Sequence, residues 1–212
     1  MEVLVAGGHG QIARLLLRQL AQGGHRARGL IRNPDHAAEL EQLGAEPVLC
    51  DLEHDDVRQH IGTAQAIVFA AGAGPGSGPE RKRTVDYGGA VKLIEAAREL
   101  GVERYVMISA MGTADVEHAD EAMRPYLEAK RDADEALMRS GLDWTVVRPG
   151  RLTDEPATGR VDASPGLGRR GEVPRADVAD AVVVALEEPA TIHRAFDLLS
   201  GTTPVRDALR AL

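Results

Sequence analysis

The fold is decided by VLVAGGHGQIARLL, residues 3–16, in which a short apolar run enters a glycine-rich turn and then a segment of helical periodicity. Gly7 and Gly10 allow the backbone to turn tightly and to approach a pyrophosphate, and the helix that follows offers unpaired N–H groups and the positive end of its dipole. The pattern predicts a phosphate-binding turn, with Gly7, Gly10, Gln11 and Ile12 as cofactor-binding residues. An ordinary turn between a strand and a helix is the alternative.

Short apolar runs of this kind alternate with longer amphipathic segments along most of the chain. Each run predicts a buried strand, and each longer segment predicts a helix. The strands are expected at residues 2–6, 26–31, 46–50, 66–70, 104–109 and 144–149. Their regular alternation with helices predicts right-handed βαβ units and hence an α/β fold with a doubly wound parallel sheet of the Rossmann type. A mixed α+β fold is the alternative.

Two segments interrupt this alternation. Residues 72–83 are rich in Gly and Pro and follow the fourth strand, so we expect a loop at the carboxyl edge of the sheet, where ligand clefts occur. Residues 150–172 are loop-like, with room for a short pair of strands. Because 212 residues suit one α/β domain, we predict a single domain, 1–212, in which residues 150–212 form a small appendage on the substrate side.

Composition and charge narrow the range of partners. The net charge is −8 and the basic run ERKR, residues 80–83, stands alone, which argues against a nucleic-acid or anionic membrane surface. No apolar stretch approaches the roughly 20 residues of a membrane helix. The single Cys50 cannot form an internal disulfide, as in a reducing compartment. We therefore expect a small-molecule substrate, no nucleic-acid or membrane partner and a cytoplasmic location; homo-oligomers are compatible with the sequence.

The residue after the second strand indicates the cofactor. In LIRNP, residues 30–34, Arg32 stands where an NAD-specific site would place an acidic residue on the ribose 2′-hydroxyl. A guanidinium can bind a 2′-phosphate with two hydrogen bonds, so NADP is favoured over NAD. Arg14 would be a second cation at this site, or a solvated residue on the helix surface.

Small and acidic residues follow the next two strands. Asp51 would accept a hydrogen bond from the exocyclic amine of an adenine, and Leu52 would contact its ring; a helix N-cap is the alternative role of Asp51. Ala70, Ala71 and Gly72 are small enough for the cofactor backbone to pass closely. We predict all five as cofactor-binding residues.

Lysine is rare in this chain, since only Lys82, Lys92 and Lys130 contribute to its 25 basic residues. Lys130 follows Tyr126 by four positions in a predicted helix, so the two side chains share one face. A neighbouring ammonium stabilises phenolate and would help Tyr126 to exchange a proton near neutral pH. The alternative is a solvated pair on the helix surface.

These patterns resemble the short-chain dehydrogenase/reductase superfamily, and more closely its small atypical and extended NAD(P)-binding branch of epimerase/dehydratase-like and NmrA-like proteins. The resemblance covers nearly the whole chain. It rests on Tyr126-x-x-x-Lys130 and on the segments GGHGQIA, IRNP, CDLE, VDYGGAVKLIEAARELGVERYVMIS, SGLDWTVVRPGRLTDEPATG and RADVADAVVVAL.

The resemblance implies roles for individual residues. Tyr126 would be the catalytic proton donor or acceptor, Lys130 would bind the nicotinamide ribose, and Ser109 would orient the substrate oxygen. The residues expected near the nicotinamide are Pro149, Gly150, Arg151 and Leu152, and Asp86 and Tyr87 match positions beside the cofactor. Members of the extended branch often end the fifth strand with consecutive serines, whereas Ala110 follows Ser109 here. Ser109 would then face the cofactor instead of the substrate.

Three functions are compatible with these residues. The first is an NADP(H)-dependent oxidoreductase acting on a small carbonyl or alcohol substrate. The second is an NADP-binding regulatory or redox-sensing protein with little turnover, and the third is a flavin or quinone reductase, which would not need the Tyr–Lys pair. No metal site is expected, because the seven His residues show no HExxH and no paired-Cys spacing.

Overall fold

The computed structural model describes residues 1–74 and 76–212, and its secondary structure follows the predicted alternation. The strands in this part of the chain are β1 (Glu2–Ala6), β2 (Arg26–Ile31), β3 (Glu46–Leu49), β4 (Ala66–Phe69), β5 (Arg104–Ile108), β6 (Asp143–Pro149), β7 (Arg151–Thr153), β8 (Arg160–Ser164), β9 (Glu172–Pro174), β10 (Arg194–Ser200) and β11 (Thr203–Pro204). The helices are α1 (Gln11–Gln22), α2 (Ala37–Gln42), α3 (Arg58–Ile61), α4 (Pro79–Arg81), α5 (Ala90–Leu100), α6 (Arg124–Met138), α7 (Arg175–Glu187) and α8 (Val205–Arg210). All six predicted strands are present, each within one residue of its expected ends.

Nine of these strands form one sheet in the order β11-β8-β10-β6-β5-β4-β1-β2-β3. Strands β1 to β6 and β10 are parallel to one another, whereas β8 runs antiparallel to both of its neighbours. The chain winds outward in one direction through β2 and β3 and in the other through β4, β5 and β6. This reversal confirms the doubly wound α/β fold. It also creates a crevice at the carboxyl ends of the paired strands β1 and β4, because the connections that follow them lead to opposite sides.

Helices cover both faces because successive side chains of a buried strand point to opposite sides. In β1, Val3 and Val5 pack into the core formed with α1, α2, α7 and α8, whereas Leu4 and Ala6 pack into the core formed with α3, α5 and α6. All four side chains are fully buried. The apolar run at the amino end of the chain therefore belongs to two cores at once.

The segment 150–212 is part of this architecture and does not stand apart as an appendage. Its strands β8, β10 and β11 extend the main sheet, and its helix α7 packs against α1, where Gln19 Nε2 donates to Asp180 Oδ1 at 2.6 Å. Only β7 and β9 form a separate two-stranded sheet. Within the described ranges, no helix has the length and apolar character needed to cross a membrane.

The segment 72–83 is only partly a loop. A helix begins at Pro79, whose fixed φ suits a first helical position, and runs through a π-helix at Lys82–Gly89 directly into α5. Pro75, which falls within the predicted loop, lies outside the described residues.

Candidate functional site

A cleft of about 850 Å³ opens at the carboxyl ends of β1 and β4, where the strand order reverses. Its volume is in the range of small-molecule and cofactor sites. Fifteen of the residues predicted as catalytic or cofactor-binding contribute to its walls. These are Gly7, Gly10, Gln11, Ile12, Arg32, Asp51, Leu52, Ala70, Ala71, Gly72, Ser109, Tyr126, Lys130, Pro149 and Leu152.

Gly150 and Arg151, which were predicted to bind the cofactor, do not line the cleft. Arg151 is exposed and its guanidinium binds Glu172 at 2.5 Å, because alternation along β7 turns Leu152 toward the cleft and Arg151 away from it. Gly150 packs behind the wall, where a Cβ atom would lie 2.5 Å from the carbonyl oxygen of Gly171. Neither residue therefore faces the cleft in which a nicotinamide is predicted to bind.

The glycine turn is tightly packed between neighbouring backbone segments. Gly7 has a φ of +77°, and a Cβ atom there would lie 2.6 Å from Ala71 Cα. Gly8 has a similar role that the sequence analysis missed, since its Cβ would lie 2.9 Å from Gly29 Cα in β2. The consecutive glycines Gly7 and Gly8 were the sequence feature from which this role of Gly8 could have been predicted. Both positions need glycine because the turn must lie directly against the adjoining strands.

The start of α1 is free to bind an anion. Gly10 is its N-cap and provides no side-chain cap, and the first turn has no acidic residue. Among the described residues, the amides of Gln11, Ile12 and Ala13 have no acceptor. Unsatisfied N–H groups at the positive end of a helix dipole are suited to a phosphate, so this end of the cleft fits the pyrophosphate of a dinucleotide.

The cations near the end of β2 differ in their partners. Arg32 is exposed on the cleft wall and has no hydrogen-bonded partner among the residues that the structure describes. Arg14 does not reach the cleft, because its guanidinium binds Glu39 at 2.6 Å. His9 also bonds Glu39, and its ring stacks on His36 with the centroids 3.4 Å apart. The hydrogen bond from Arg14 and, to a smaller extent, that from His9 lower the pKa of the Glu39 carboxyl. Arg32 alone is therefore available for a 2′-phosphate here.

Asp51 closes a turn and does not cap a helix. Its carboxylate accepts from the amide of Glu53 at 2.9 Å, and α3 begins only at Arg58. Lys92 fixes the same turn, since its ammonium donates to the carbonyl oxygens of Leu52 and Glu53 at 2.9 and 2.7 Å. The second carboxylate oxygen of Asp51 remains available to an adenine amine.

Lys130 is held at the floor of the cleft. Its side chain is 5% exposed, and its ammonium donates to the carbonyl oxygens of Ile108 at 3.2 Å and Ala71 at 3.5 Å. The carboxylate of Asp86 lies 3.4 Å away. An ammonium has three donors, and two of them are used by these carbonyl oxygens, while the nearer Asp86 oxygen makes an ion pair without a hydrogen bond.

Asp86 connects Lys130 to the adjoining loop. It is 1% exposed within the π-helix, and its second oxygen accepts from the amide of Ala73 at 3.0 Å. Tyr87, the next residue, does not line the cleft; its ring centre lies 4.0 Å from the guanidinium carbon of Arg83. Of the two positions expected beside the cofactor, only Asp86 is on the wall.

Two lysines approach Tyr126. The Nζ atom of Lys130 is 6.0 Å from the centre of the Tyr126 ring, and that of Lys82 is 5.9 Å from it. Lys82 also lines the cleft, together with Met123 and Arg175. None of these three residues was predicted from the sequence as part of the site. The scarcity of lysine was the only signal that pointed to Lys82.

Ser109 lies at the end of β5, buried in the cleft wall and beside the carboxyl of Asp134. Asp134 follows Lys130 by one helical turn, and its carboxylate accepts from Arg148 Nε at 3.0 Å. Burial raises the pKa of Asp134, while Arg148, Ser109 and Lys130 act in the opposite direction. The Ser109 hydroxyl therefore lies between the cleft and a buried acid.

Cys50 also lines the cleft, and its thiol is expected to be unreactive. Burial, followed by the charges of Asp55 and Asp51, raises its pKa to about 11. Its Sγ lies within 4.8 Å of ligand atoms of Asp55 and His60, a grouping that sequence spacing did not indicate. The high thiol pKa disfavours the thiolate that a metal ion would require.

We predict that at pH 8 Cys50 of the folded protein reacts with dithiobis(nitrobenzoate) about 100-fold more slowly than in urea, because the thiolate fraction is smaller by that factor. The absorbance of released nitrothiobenzoate measures both rates. The urea sample is the control and should release one equivalent. Similar rates in the two samples would contradict the burial of this thiol.

Comparisons with known proteins indicate a nicotinamide cofactor. A family model described as NAD(P)H-binding matches residues 7–189. The uncharacterized sugar epimerase YhfK of Bacillus subtilis is 40% identical over 215 residues, covering 100% of both chains. A solved structure named as an NAD-dependent epimerase/dehydratase of Bacillus halodurans is 39% identical, with a TM-score of 0.97 and 100% of both chains covered. The oxidoreductase ylbE of Lactococcus lactis is 25% identical, with a TM-score of 0.89 over 100% of this chain and 96% of that chain. The chain belongs to the NAD(P)H-binding family, in its epimerase/dehydratase-like branch.

Proposed function

We propose that the protein is an NADP(H)-dependent oxidoreductase that interconverts a small carbonyl compound and its alcohol. The observation that carries the proposal is the position of Tyr126 and Lys130 on the wall of the cleft that also holds the free amides of α1 and the guanidinium of Arg32. The free amides of α1 and the Arg32 guanidinium would hold the phosphates of a dinucleotide, and Tyr126 and Lys130 line the same cleft. The cleft volume of about 850 Å³ is in the range of cofactor sites.

When bound, NADPH would supply the hydride that reduces the carbonyl carbon. Tyr126 donates its phenolic proton to the carbonyl oxygen, so that the products are an alcohol and NADP⁺. Lys130 is held rigidly by Asp86 and Ile108, and its positive charge stabilises the phenolate that remains. Tyr126 is half-buried, so solvent can return its proton. The Ser109 hydroxyl contributes a hydrogen bond that orients the substrate oxygen.

The preference for NADP over NAD follows from Arg32. We expect Arg32→Ala to weaken NADPH binding by about 10- to 100-fold and to leave NADH binding within about twofold, because only NADPH has the 2′-phosphate and a charge-assisted hydrogen bond contributes about 1.5–3 kcal/mol. Titration of the cofactor-free protein, followed by nicotinamide fluorescence or calorimetry, measures both affinities. Trp144 stands at the amino end of β6, away from the cleft, so its own emission is a poorer reporter.

Arg18→Ala is the matched control for this experiment. It removes the same charge from an exposed position of α1 that does not line the cleft. Its NADPH to NADH affinity ratio should equal that of the wild type. An unchanged ratio in Arg32→Ala would refute the 2′-phosphate assignment, and binding of neither dinucleotide by the wild type would refute the proposed function.

A second candidate is an NADP-binding regulatory protein with little turnover. It is favoured by the surroundings of Ser109, which is buried beside Asp134 and followed by Ala110. This candidate predicts tight NADPH binding and no oxidation of NADPH across a panel of aldehydes and ketones. Stoichiometric conversion of any member of the panel to its alcohol would exclude it.

A further inference from the structure

The cations on the cleft wall differ in whether a carboxylate neutralises them. Arg81 faces Glu53 at 3.4 Å, Lys130 faces Asp86 at 3.4 Å, and Arg175 binds Asp154 at 2.7 Å. Arg32 and Lys82 have no carboxylate partner among residues 1–74 and 76–212. In a chain with 33 acidic residues and a net charge of −8, two unneutralised cations in one cleft indicate sites for anionic ligands.

These two cations lie at different parts of the cleft. Arg32 follows β2, beside the turn that would hold the adenosine. Lys82 begins the π-helix, with its Nζ atom 5.9 Å from the ring centre of Tyr126. The 2′-phosphate and the pyrophosphate are accounted for by Arg32 and by the amides of α1. Lys82 is therefore left without an anion from the cofactor.

The walls near Lys82 suit a substrate with an apolar body. Met123, 45% exposed, and the half-buried Leu152 provide apolar surface on the cleft wall. Lys82 itself is half-buried, so an anion bound to it is shielded partly from water and attracted more strongly than at an open surface. The Tyr126 ring centre lies about as far from this ammonium, 5.9 Å, as from that of Lys130, 6.0 Å.

We propose that Lys82 binds an anionic group, a carboxylate or a phosphate ester, that the substrate carries close to its reacting carbonyl. The proposal rests on the proposed function and specifies its substrate class: anionic aldehydes or ketones with an apolar body. Lys82 then determines specificity for anionic over neutral substrates, whereas Lys130 assists the chemical step for both.

Three aldehydes on the same ring test the kinetic consequence: 4-carboxybenzaldehyde, 4-formylphenyl phosphate and the neutral methyl 4-formylbenzoate. The wild type should have kcat/KM at least tenfold higher for one of the anionic aldehydes than for the ester, and the anion that is preferred identifies carboxylate or phosphate. Lys82→Met should reduce this ratio to within about twofold of unity, and Lys82→Arg, which keeps the charge, should retain most of it. Arg98→Met removes a charge from the exposed face of α5 and should leave the ratio unchanged.

A binding measurement separates this proposal from the proposed function. Calorimetry with 4-(hydroxymethyl)benzoate, 4-(hydroxymethyl)phenyl phosphate and the corresponding methyl ester on the NADPH-saturated protein needs no turnover, since both partners are already reduced. The wild type should bind an anionic alcohol at least tenfold more tightly than the ester, and Lys82→Met should abolish the difference. If no aldehyde is reduced but the anion still binds through Lys82, the oxidoreductase proposal fails and the anion site stands. Equal binding of the anionic and neutral alcohols by the wild type, or a preference that Lys82→Met retains, would overturn the anion site.

Discussion

Tyr126→Phe is expected to lower kcat for carbonyl reduction by about 100- to 10,000-fold, the range that a positioned general acid contributes. The substitution removes only the phenolic oxygen, and the ring keeps its distances of 5.9 and 6.0 Å to the ammonium groups of Lys82 and Lys130. NADPH affinity should remain within about twofold of the wild type, because the hydroxyl is assigned to the substrate oxygen. Steady-state oxidation of NADPH, followed at its absorbance maximum, measures kcat, and the titration described for Arg32 measures affinity.

Tyr87→Phe is the matched control, since it removes the same atom from a tyrosine outside the cleft wall. It should leave kcat unchanged. A panel of quinones and flavins assayed with the same proteins tests the third functional alternative. If Tyr126→Phe reduces quinones or flavins as fast as the wild type and neither protein reduces carbonyls, the protein is a flavin or quinone reductase. Undiminished carbonyl turnover by Tyr126→Phe would refute the proton-donor role.

Gly7→Ala is expected to lower the free energy of unfolding by about 2–5 kcal/mol and to weaken NADPH binding at least tenfold. The backbone at Gly7 has a φ of +77°, which costs about 1–2 kcal/mol for alanine. The new Cβ would also lie 2.6 Å from Ala71 Cα and 2.9 Å from its amide nitrogen, and these backbone atoms cannot move aside as a flexible side chain would. Forcing the two loops apart adds about 1–3 kcal/mol. It also displaces both walls that would hold the pyrophosphate, and a shift of this size can greatly reduce site function.

Gly24→Ala separates the backbone cost from the contact cost. Gly24 has a φ of +79°, nearly equal to that of Gly7, but no atom lies within 4 Å of its would-be Cβ. The control should lose only the conformational term of about 1–2 kcal/mol and should keep its affinity for NADPH. Urea unfolding of the three proteins measures the difference. Equal losses at the two positions would show that the approach of Ala71 has no energetic consequence.

Local sequence patterns were sufficient to predict the position of those parts of the site that depend only on residues close together in the chain. The glycine turn, the strand ends and the four-residue spacing of Tyr126 and Lys130 all follow from a few consecutive positions, because turn geometry and helical repeat are short-range properties. The exposed Arg32 was predictable for the same reason, as it stands directly after a strand whose direction fixes its place on the cleft wall.

Features that depend on a distant partner were not predictable in this way. Arg14 and Arg32 look equivalent in sequence, yet Glu39 binds Arg14 and leaves Arg32 free. The contacts of Lys130 with Asp86 and with the carbonyl of Ile108 join residues 44 and 22 positions apart by their numbering, and no local pattern encodes them. Arg151 was misplaced because its direction depends on how β7 pairs with β9, which the periodicity of the segment does not specify.

The position of β10 has a consequence for how the chain folds during synthesis. This strand lies between β6 and β8 in the sheet, although it follows β6 by more than forty residues in the sequence. At about 5–20 residues per second, the ribosome needs several seconds to add that stretch. During this interval β6 presents an unpaired, largely apolar edge that could pair with another nascent chain. Pairing of β10 with β6 covers this edge and so removes the opportunity for aggregation. A chaperone that binds the edge of β6 would therefore be most useful before residue 200 has been synthesised.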